Sequence, residues 1–454
     1  MPATTFSEKS VVTFWQCYLH SRKDLVAEDG DRISIIYPGM VNGDRGADLV
    51  DAVINKDNKI LKGNIEVHIK SSSWWSHGHH EDPTYNNVIL HVVYQQDKKE
   101  AVNLQSGKTV PTLVLGKYIK NNINPPVHSE DSGGYSLMSC LGNRDLGDNE
   151  FIGEVLDKAG EQRFFSKVAI FRKKAVETGI RQAFYEAVME SMGYDKNKGQ
   201  MVKLSQHMPV ERLEKAIPEI LPNVRNLACL QALLLGTAGL LPSQRSDSRC
   251  RDIPDNPWVD RLEKSWSSSR VAVAMNKNDW HFFKVRPGNI PTRRIAAMSY
   301  LLLRCQQWRI KENLVNDLCR TVAENGYHEL EQVLYVPATG YWADYLDFGL
   351  PNQSNLPALL GGGRAADIIV NVLLPFALIQ AELISHPELA RQILEIYRRY
   401  PRLMINRIER QMCNQLGVYS YLVNSARRQQ GLIHIYRTLC SQGNCRVCPL
   451  RTRE

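Results

Sequence analysis

The segment Ile60–Ser71, ILKGNIEVHIKS, alternates polar and aliphatic residues over its second half. Side chains two apart along a strand point to the same face, so Glu66, His68 and Lys70 share one face and the aliphatic residues between them share the other. An acid, an imidazole and an amine on one face suit an active site better than a core. The pattern predicts a strand whose aliphatic face packs inward and whose polar face carries chemistry.

Similar short segments rich in Ile and Val lie on both sides of this strand. Turn signals such as Asn42-Gly43-Asp44 separate them, and a helical spacing of apolar residues precedes them. The predicted elements are a helix at Val11–Ala27 and strands at Ile33–Tyr37, Ala47–Asn55, Ile60–Ser71 and Val88–Gln95, with Thr112–Leu115 as an extra strand. The expected domain, residues 1–118, is a small mixed α/β sheet flanked by helices.

The remainder of the chain predicts a different architecture. Residues 119–150, rich in Gly, Pro, Asn and Ser, are expected to be a connector. Residues 151–425 predict a large all-α domain, and residues 426–454 an Arg-rich tail with a cysteine cluster. The predicted helices are Gly153–Gly193, Met201–Leu213, Val224–Leu241, Pro291–Gln307, Val315–Asn325, Ala365–Leu383, Leu389–Arg399, Leu403–Leu416 and Ala426–Cys440. Arg270–Val285 alternates enough to be an extension or a hairpin.

Length and composition exclude several classes of protein. The 454 residues are enough for two or three domains, and 43% hydrophobic residues are too many for a wholly disordered chain. The longest apolar runs, Leu230–Leu241 and Ile368–Ala381, fall short of the roughly 20 residues of a membrane-spanning helix. The N-terminal residues lack the basic start and apolar core of a secretory signal. We therefore expect a cytoplasmic protein with reduced cysteines and no membrane contact.

The net charge of +8 is concentrated near the C-terminus. Residues 388–454 contain twelve Arg, no Lys, four Glu and no Asp, an excess equal to that of the whole chain. Guanidinium groups make bidentate contacts with phosphate, so this segment favours nucleic acid as a partner, with a solvated helix face as the alternative. Within this segment the predicted phosphate-contacting residues are Arg427 and Arg428. Arg293 and Arg294, at a predicted helix start, and Arg364, after a run of three glycines, are predicted to contact phosphate as well.

Three cysteines near the C-terminus predict a separate metal site. Cys440-x4-Cys445-x2-Cys448 follows a predicted helix, and a Cys-x2-Cys turn chelates metal well. Thiolates bind Zn²⁺ or an iron–sulfur cluster, and the spacing leaves both open. The candidates for a fourth ligand are Cys413, His434 and Cys17.

Histidines are crowded around the polar strand, where five of the 12 in the chain lie between residues 68 and 91. Asp48, at the start of the preceding strand, approaches Glu66 if the two strands are neighbours. Two close carboxylates repel, and Mg²⁺ or Mn²⁺ between them relieves the repulsion. The alternative is that the carboxylates cap turns and the histidines line a polar surface.

The loop HGHHEDP offers a competing set of metal ligands. His77, His79, His80 and Asp82 supply nitrogen and oxygen donors that suit Zn²⁺ or Mn²⁺. The same histidines could instead border a phosphate track next to the carboxylates.

Several motifs together resemble the bacterial family known as domain of unknown function 2851. They are NGDRGAD at 42–48, GNIEVHI at 63–69, the segment Ser72–Asp97, RPGNIPTRR at 286–294, GGGR at 361–364, NVLLPF at 371–376 and the terminal cysteines. The resemblance runs along nearly the whole chain and implies an architecture rather than a reaction.

The order helix, strand meander, connection and further strand is similar to the core of the PD-(D/E)XK nuclease superfamily. That resemblance implies that Asp48 and Glu66 are metal ligands. His68 then stands at the position of the superfamily's Lys, and Ala47 stands at the position of its Pro. A neutral His can act as base or orient water near pH 7, and Lys70 offers a substitute for the missing Lys.

These features together predict a metal-dependent nuclease. Mg²⁺ or Mn²⁺ held by Asp48 and Glu66 is expected to assist attack of water on a phosphodiester, in DNA more than in RNA. Two alternatives stay open. One is a nucleic-acid-binding protein that has lost catalysis, and the other is a metal-dependent hydrolase of a small molecule whose ligands are the histidines.

Overall fold

The computed structural model describes residues 7–18, 24–119, 149–217, 224–246, 256–307, 326–416 and 420–450. The chain divides into two compact units. Unit 1 comprises Met1–Gln162, Ile405–Asn424 and Arg428–Glu454, and unit 2 comprises Arg163–Met404 and Ser425–Arg427. The predicted helix Val315–Asn325 and most of the predicted connector 119–150 lie outside the described residues.

Unit 1 is built on a seven-stranded mixed sheet. Its strands are β1 Leu25–Val26, β2 Arg32–Tyr37, β3 Met40–Val41, β4 Leu49–Lys56, β5 Lys59–Lys70, β6 Val88–Gln95 and β9 Thr112–Val114, with β7 Val102–Asn103 and β8 Thr109–Val110 as a separate hairpin. Hydrogen-bonded neighbours follow the order β1-β2-β4-β5-β6-β9, and β3 pairs with β4. The β5–β6 and β6–β9 pairs are parallel and the others antiparallel.

The first helix is shorter than predicted. Helix α1 is Glu8–Tyr18, and Leu25–Val26, inside the predicted helix Val11–Ala27, forms β1 instead. β1 pairs with β2 across a turn in which Gly30 has a φ of 90°, a conformation that glycine adopts without strain. The apolar spacing over Val11–Ala27 therefore covers two elements, α1 and β1, which contribute to the same core.

The aliphatic face of β5 packs inward, as its alternation predicts. Ile65 and Val67 are fully buried in one cluster with Val11 and Trp15 of α1. The Trp15 indole N–H donates a hydrogen bond to Pro38 O at 2.9 Å, which ties the helix to the sheet. The polar residues of β5 consequently face the other side of the sheet, where the candidate site lies.

The chain after the sheet is mainly helical. The helices are α2 Ser73–Ser76, within the β5–β6 connection, then α3 Asn149–Thr178, α4 Ile180–Met192, α5 Lys198–His207, α6 Val210–Lys215, α7 Val224–Thr237, α8 Pro257–Ser268, α9 Pro291–Gln307, α10 at 326–334, α11 Tyr341–Asp344, α12 Gly362–Ile368, α13 Leu374–Leu383, α14 Pro387–Arg399, α15 Arg407–Leu416 and α16 Ala426–Thr438. Residues 270–285 contain two turns, Lys277–Asp279 and residues 283–284, and do not form a hairpin. An N-terminal mixed sheet followed by a helical region confirms the predicted fold class at this level.

Within the described residues, two helices are long and apolar enough to cross a membrane by length and composition. They are Val224–Gln244 and Gly362–Leu383, and 78% and 72% of their apolar windows are buried inside the protein. Both contribute to the large hydrophobic core of unit 2. Most of their apolar surface is therefore covered by the protein itself.

The C-terminal helices α15 and α16 pack against the sheet of unit 1. Leu432 and Tyr436 share a buried cluster with Tyr37 of β2 and Val53 of β4. The Tyr436 hydroxyl donates a 2.6 Å hydrogen bond to Asp51 Oδ2, a residue 385 positions earlier in the chain. The predicted boundaries 151–425 and 426–454 divide the chain differently, because these contacts join residues that are far apart in the sequence.

Gly63 sets how closely β5 approaches the start of β6. A Cβ at this position would lie 2.4 Å from Asn87 O and 2.5 Å from Ile89 Cγ2. We expect Gly63→Ala to lower the free energy of unfolding by about 1–3 kcal/mol, because overpacking displaces a strand. Urea unfolding checks this against Gly43→Ala, where the added Cβ meets no atom within 4 Å. Equal losses in the two variants would contradict the proposed close approach.

Candidate metal-dependent active site

Asp48 and Glu66 are interlocked where β4 begins beside β5. The Asp48 backbone N–H donates to Glu66 Oε2, and the Val67 N–H donates to Asp48 Oδ2, each at 3.1 Å. The β4–β5 register shifts between Leu49 and Ala52, next to this pair. One oxygen of each carboxyl group is fixed by the backbone, which leaves Oδ1 of Asp48 and Oε1 of Glu66 as donors for a cation.

Both carboxyl groups are strongly perturbed. Burial, followed by the negative charge of Glu66, raises the pKa of Asp48 to about 7. Burial also raises the pKa of Glu66 to about 8. A divalent cation between two such groups favours their ionised forms, and Mg²⁺ and Mn²⁺ prefer carboxylate oxygen. The donor set therefore fits the ions that the sequence predicted.

Four of the crowded histidines form a connected group next to the carboxylates. His68 Nδ1 lies 2.9 Å from His91 Nε2, and His68 Nε2 lies 3.2 Å from His77 Nδ1. His79 Nε2 lies 3.1 Å from Glu66 Oε1. His68 and His91 are fully buried, and His77 is exposed. The group thus extends from the interior of the sheet to solvent.

The buried rings of this group are neutral. Burial, followed by the neighbouring His91, lowers the pKa of His68 to about 2, and burial lowers the pKa of His91 to about 3. Burial lowers the pKa of His79 as well. Neutral imidazole is the form that binds metal ions and accepts protons.

Aromatic side chains wall the group on one side. The Tyr85 ring stacks on His79 with 3.9 Å between ring centroids, and Trp74 contacts both His79 and His91 edge-on or at a tilt. Trp74 is fully buried in a cluster with Tyr85. Its indole N–H donates to Asn103 O at 3.2 Å. These rings fix the orientation of the imidazoles.

Three predicted site residues lie apart from this group. His80 Nε2 is 3.5 Å from Glu81 Oε1, and Asp82 caps the turn Pro83–Tyr85 by accepting from Thr84 N at 2.8 Å. Lys70 is exposed at the end of β5, about 13 Å along the strand from Glu66 at ~3.3 Å per residue. The loop therefore contributes His77 and His79 to the group, and Lys70 is too distant to replace the missing Lys.

The prediction missed Glu8, His91 and Tyr85. The negative charge of Glu8, at the start of α1, raises the pKa values of both Asp48 and Glu66. An acidic residue in the first turn of a helix is ordinary, so its position gave no signal. His91 was counted among the five clustered histidines, but only the parallel pairing of β5 with β6 places it opposite Glu66.

Two of the five predicted phosphate-binding arginines are structural. Arg293 is fully buried and donates to the Trp342 and Tyr345 carbonyls at 2.8 and 2.9 Å. Arg294 is 5% exposed and donates to Leu359 O at 2.6 Å. Their guanidinium groups hold short helical and strand segments of unit 2 and are not available to nucleic acid. The prediction was wrong here because buried backbone carbonyls leave no trace in the charge pattern.

We expect Arg293→Lys to lower the free energy of unfolding by about 2 kcal/mol. A Lys keeps the charge but cannot reproduce the fork of donors, and it leaves buried carbonyls without partners. Urea unfolding measures the loss, with Arg391→Lys on an exposed helix face as the matched control. Equal stability of Arg293→Lys and wild type would mean that Arg293 faces solvent, where it could contact phosphate.

The other three predicted arginines are only partly exposed. Arg364 lies over the Tyr194 ring, 3.3 Å from its centroid, and 3.3 Å from Asp367. Arg428 pairs with Asp157 at 3.2 Å, and Arg427 is half-buried. Phosphate contact by these three side chains stays a prediction.

The tail cysteines lie against the sheet of unit 1. Cys440 is buried, and Cys445 and Cys448 are half-buried. Cys445 Sγ lies 4.0 Å from Ile36 O of β2. Gly443, with a φ of 71°, turns the chain between the first two cysteines and abuts Val53. The segment whose cysteine spacing predicts a metal site is therefore folded onto the sheet.

Cys413 is the fourth-ligand candidate that the fold favours. It belongs to the same buried cluster as Cys440, and Cys448 packs against that cluster. The side chain of Cys17 lies outside the described residues, and half-buried His434 on α16 stays a candidate beside Cys413. The set of Cys413, Cys440, Cys445 and Cys448 would supply four sulfur donors.

We expect these cysteines of the purified full chain to carry either Zn²⁺ or iron with acid-labile sulfide, and Cys445→Ser to lose this cysteine-bound metal. Elemental analysis and sulfide assay of anaerobically purified protein distinguish the two metals. Cys229→Ser is the control, because Cys229 is half-buried in unit 2 and belongs to no such set. Metal content that is equal in Cys445→Ser and wild type would contradict the prediction.

Fold and site together define a protein whose mixed sheet gathers two carboxyl groups and four histidines at one place. A family model described as protein of unknown function (DUF2851) matches residues 8–403, and the chain belongs to this family. The family resemblance predicted from the motifs is thereby confirmed, and the match ends before the tail cysteines. Neither a curated protein nor a solved structure matches the chain.

Proposed function

We propose that this protein is a metal-dependent nuclease of the cytoplasm that hydrolyses phosphodiester bonds, in DNA more than in RNA. The observation that carries the proposal is the interlocked pair of half-buried Asp48 and buried Glu66. The order α1, β2, β4, β5, α2, β6 supports it, because it is similar to the PD-(D/E)XK core that carries an acid at each of these two places.

Asp48 and Glu66 would hold Mg²⁺ or Mn²⁺ through the oxygens that the backbone does not occupy. A divalent ion there supplies positive charge to phosphate oxygens and lowers the pKa of bound water. The amides of Asp48 and Val67 keep both carboxylates in one orientation, which saves the cost of ordering them at each turnover. Glu8 adds negative charge at the same place.

His68 acts as a positioning residue in this proposal rather than as the base. Both its ring nitrogens have imidazole neighbours, and its pKa lies far below the range in which a base takes up protons near neutrality. His68 instead fixes His77, the member of the group that solvent reaches.

Cleavage of labelled single- and double-stranded DNA and RNA tests the proposal. We expect wild-type protein to cut with Mg²⁺ or Mn²⁺ and to stop when EDTA is added. Binding that weakens steeply with salt, without any cleavage, would replace the nuclease with a nucleic-acid-binding protein. Absence of both binding and cleavage would reject nucleic acid as the substrate.

A hydrolase of a small molecule is the second candidate, and the histidine group favours it. Ring nitrogens of His68, His77 and His79 all lie within 4.8 Å of one another, a donor set typical of metal-activated water. This candidate predicts turnover of small phosphate or carboxylic esters that depends little on salt. A panel of chromogenic esters, assayed beside the nucleic acids, separates the two functions.

A further inference from the structure

Three imidazole rings and one carboxylate oxygen meet beside the Asp48–Glu66 pair. His68 Nε2 lies 3.2 Å from His77 Nδ1 and 3.4 Å from Glu66 Oε1. His79 Nε2 lies 3.1 Å from the same Glu66 oxygen. Three nitrogen donors therefore surround one small space with an oxygen donor at its edge.

These separations have the size found between neighbouring ligands of a tetrahedral ion. Bonds from Zn²⁺ to nitrogen or oxygen of about 2.0–2.2 Å set adjacent ligand atoms about 3.3–3.6 Å apart. The three direct distances of the cluster, 3.2, 3.4 and 3.1 Å, are close to this spacing. The remaining separations among the three ring nitrogens stay within 4.8 Å, so the rings close around an ion by moving together by about an ångström.

The polar atoms of His79 and His68 support the same conclusion. The His79 side chain is only 10% exposed, and its Nε2 has no hydrogen-bond partner in the described part of the chain, although Glu66 Oε1 is near. A buried ring nitrogen without a partner is costly, and coordination to an ion would satisfy it. On the other side, His91 holds His68 Nδ1 at 2.9 Å, as an outer-shell partner holds a metal-bound imidazole.

We propose that His68, His77 and His79, with Glu66 as a shared ligand, form a site for a transition-metal ion of the Zn²⁺ class. Imidazole nitrogen favours such ions, whereas Mg²⁺ prefers oxygen. The site adjoins the Asp48–Glu66 pair, so two ions of different chemistry share Glu66. Exposed His77 gives the ion a route from solvent. This binding does not depend on the proposed nuclease activity.

Titration of the metal-free, full-length Cys445→Ser chain with Co²⁺, in the presence of excess Mg²⁺, tests the site, because intact tail cysteines would bind Co²⁺ tetrahedrally as well. Co²⁺ replaces Zn²⁺ in nitrogen-rich sites, and its visible absorption is intense when the coordination is tetrahedral. We expect one intense Co²⁺ spectrum per chain, which disappears when Zn²⁺ is added. A weak octahedral spectrum, or a spectrum that Zn²⁺ leaves unchanged, would overturn the proposal.

Variants of two neighbouring histidines make the test specific. His77→Ala is expected to weaken Co²⁺ binding by about 100-fold or more, since even outer-shell changes cost 10–100-fold. His77 is exposed, so the variant should fold, and circular dichroism verifies this. His80→Ala, in the same loop but beside Glu81, is expected to bind as wild type does. Equal binding by His77→Ala and wild type, or equal losses in both variants, would overturn the assignment.

Asp48→Asn separates this inference from the proposed function. The variant lacks a ligand of the Mg²⁺ site but keeps all four donors of the histidine site, so it should retain the Co²⁺ spectrum. Co²⁺ binding by a chain with intact Asp48 that cleaves no nucleic acid would leave the histidine site standing and reject the nuclease. Cleavage that depends on Asp48 in a chain that gives no tetrahedral Co²⁺ spectrum would do the reverse.

Discussion

Asp48→Asn is expected to reduce metal-dependent cleavage by about 1000-fold, the upper end of the cost of removing one electrostatic partner of a transition state. Asn has nearly the shape of Asp, and its oxygen can still accept from the Val67 N–H that Asp48 binds at 3.1 Å. The variant therefore removes the charge and preserves the interlock. Initial rates on the best substrate of the panel measure the effect, and Glu66→Gln is expected to behave alike.

The matched control for Asp48→Asn is Asp44→Asn, in the same turn but exposed. It changes the net charge equally and should cut at the wild-type rate. Wild-type rates in Asp48→Asn would mean that the carboxyl pair is not part of the catalytic site. Loss of activity in both variants would assign the effect to the turn rather than to the carboxylate.

The pH dependence of stability, measured in EDTA, shows whether Asp48→Asn removes a titrating carboxyl group from an otherwise intact fold. The pKa of Asp48 is raised to about 7 in the folded chain, so folding favours its protonated form. This contribution to stability is present below the unfolded pKa and is lost as pH rises through about 7. Asn does not titrate, so the free energy of unfolding should fall less between pH 5 and pH 8 in the variant than in wild type.

The carboxyl pair could be predicted because the patterns that indicate it lie within short stretches of sequence. Alternation along β5 assigned Glu66 and His68 to one face, and a turn before β4 placed Asp48 near its end. Neighbouring antiparallel strands then bring these residues together. A short segment with a strong period and clear turns contains enough information for this inference.

The arrangement of the histidine group could not be predicted from the sequence, because it depends on how the β5–β6 connection folds. His77 and His79 reach Glu66 and His68 because the β5–β6 connection folds back through α2, whereas His80 turns toward Glu81. The spacing of the loop residues does not distinguish these directions. A donor-rich loop therefore predicted a metal site but not which of its residues lie beside Glu66 and His68.

Charge composition was the least reliable guide. Arg293 and Arg294 precede an apolar helical pattern and read as solvent-facing, yet unit 2 uses them to satisfy backbone carbonyls. The acceptors lie in short helical and strand segments more than 45 positions later, including Trp342 and Leu359. Such long-range partners explain the error, since a buried Arg and a surface Arg look the same in a linear sequence.

Asp347→Ala is expected to lower the free energy of unfolding by about 3–5 kcal/mol, the usual cost of breaking a buried ion pair by removing one partner. Asp347 and Arg245 have side chains 2% and 0% exposed, and both carboxylate oxygens accept from the guanidinium at 2.9 Å. The Thr292 hydroxyl donates to Asp347 Oδ1 at 2.8 Å. Alanine would leave the buried Arg245 charge without its carboxylate, and urea unfolding measures the consequence.

The double variant Arg245→Met with Asp347→Leu distinguishes the cost of an unpaired charge from the worth of the pair. Both charges are then absent, so no buried group requires a counterion, and we expect most of the lost stability to return. If the double variant is as unstable as Asp347→Ala, the fork itself stabilises unit 2, since apolar packing cannot replace its geometry. If Asp347→Ala alone costs less than about 1 kcal/mol, the side chains are not buried together in solution, because a desolvated charge cannot lose its partner so cheaply.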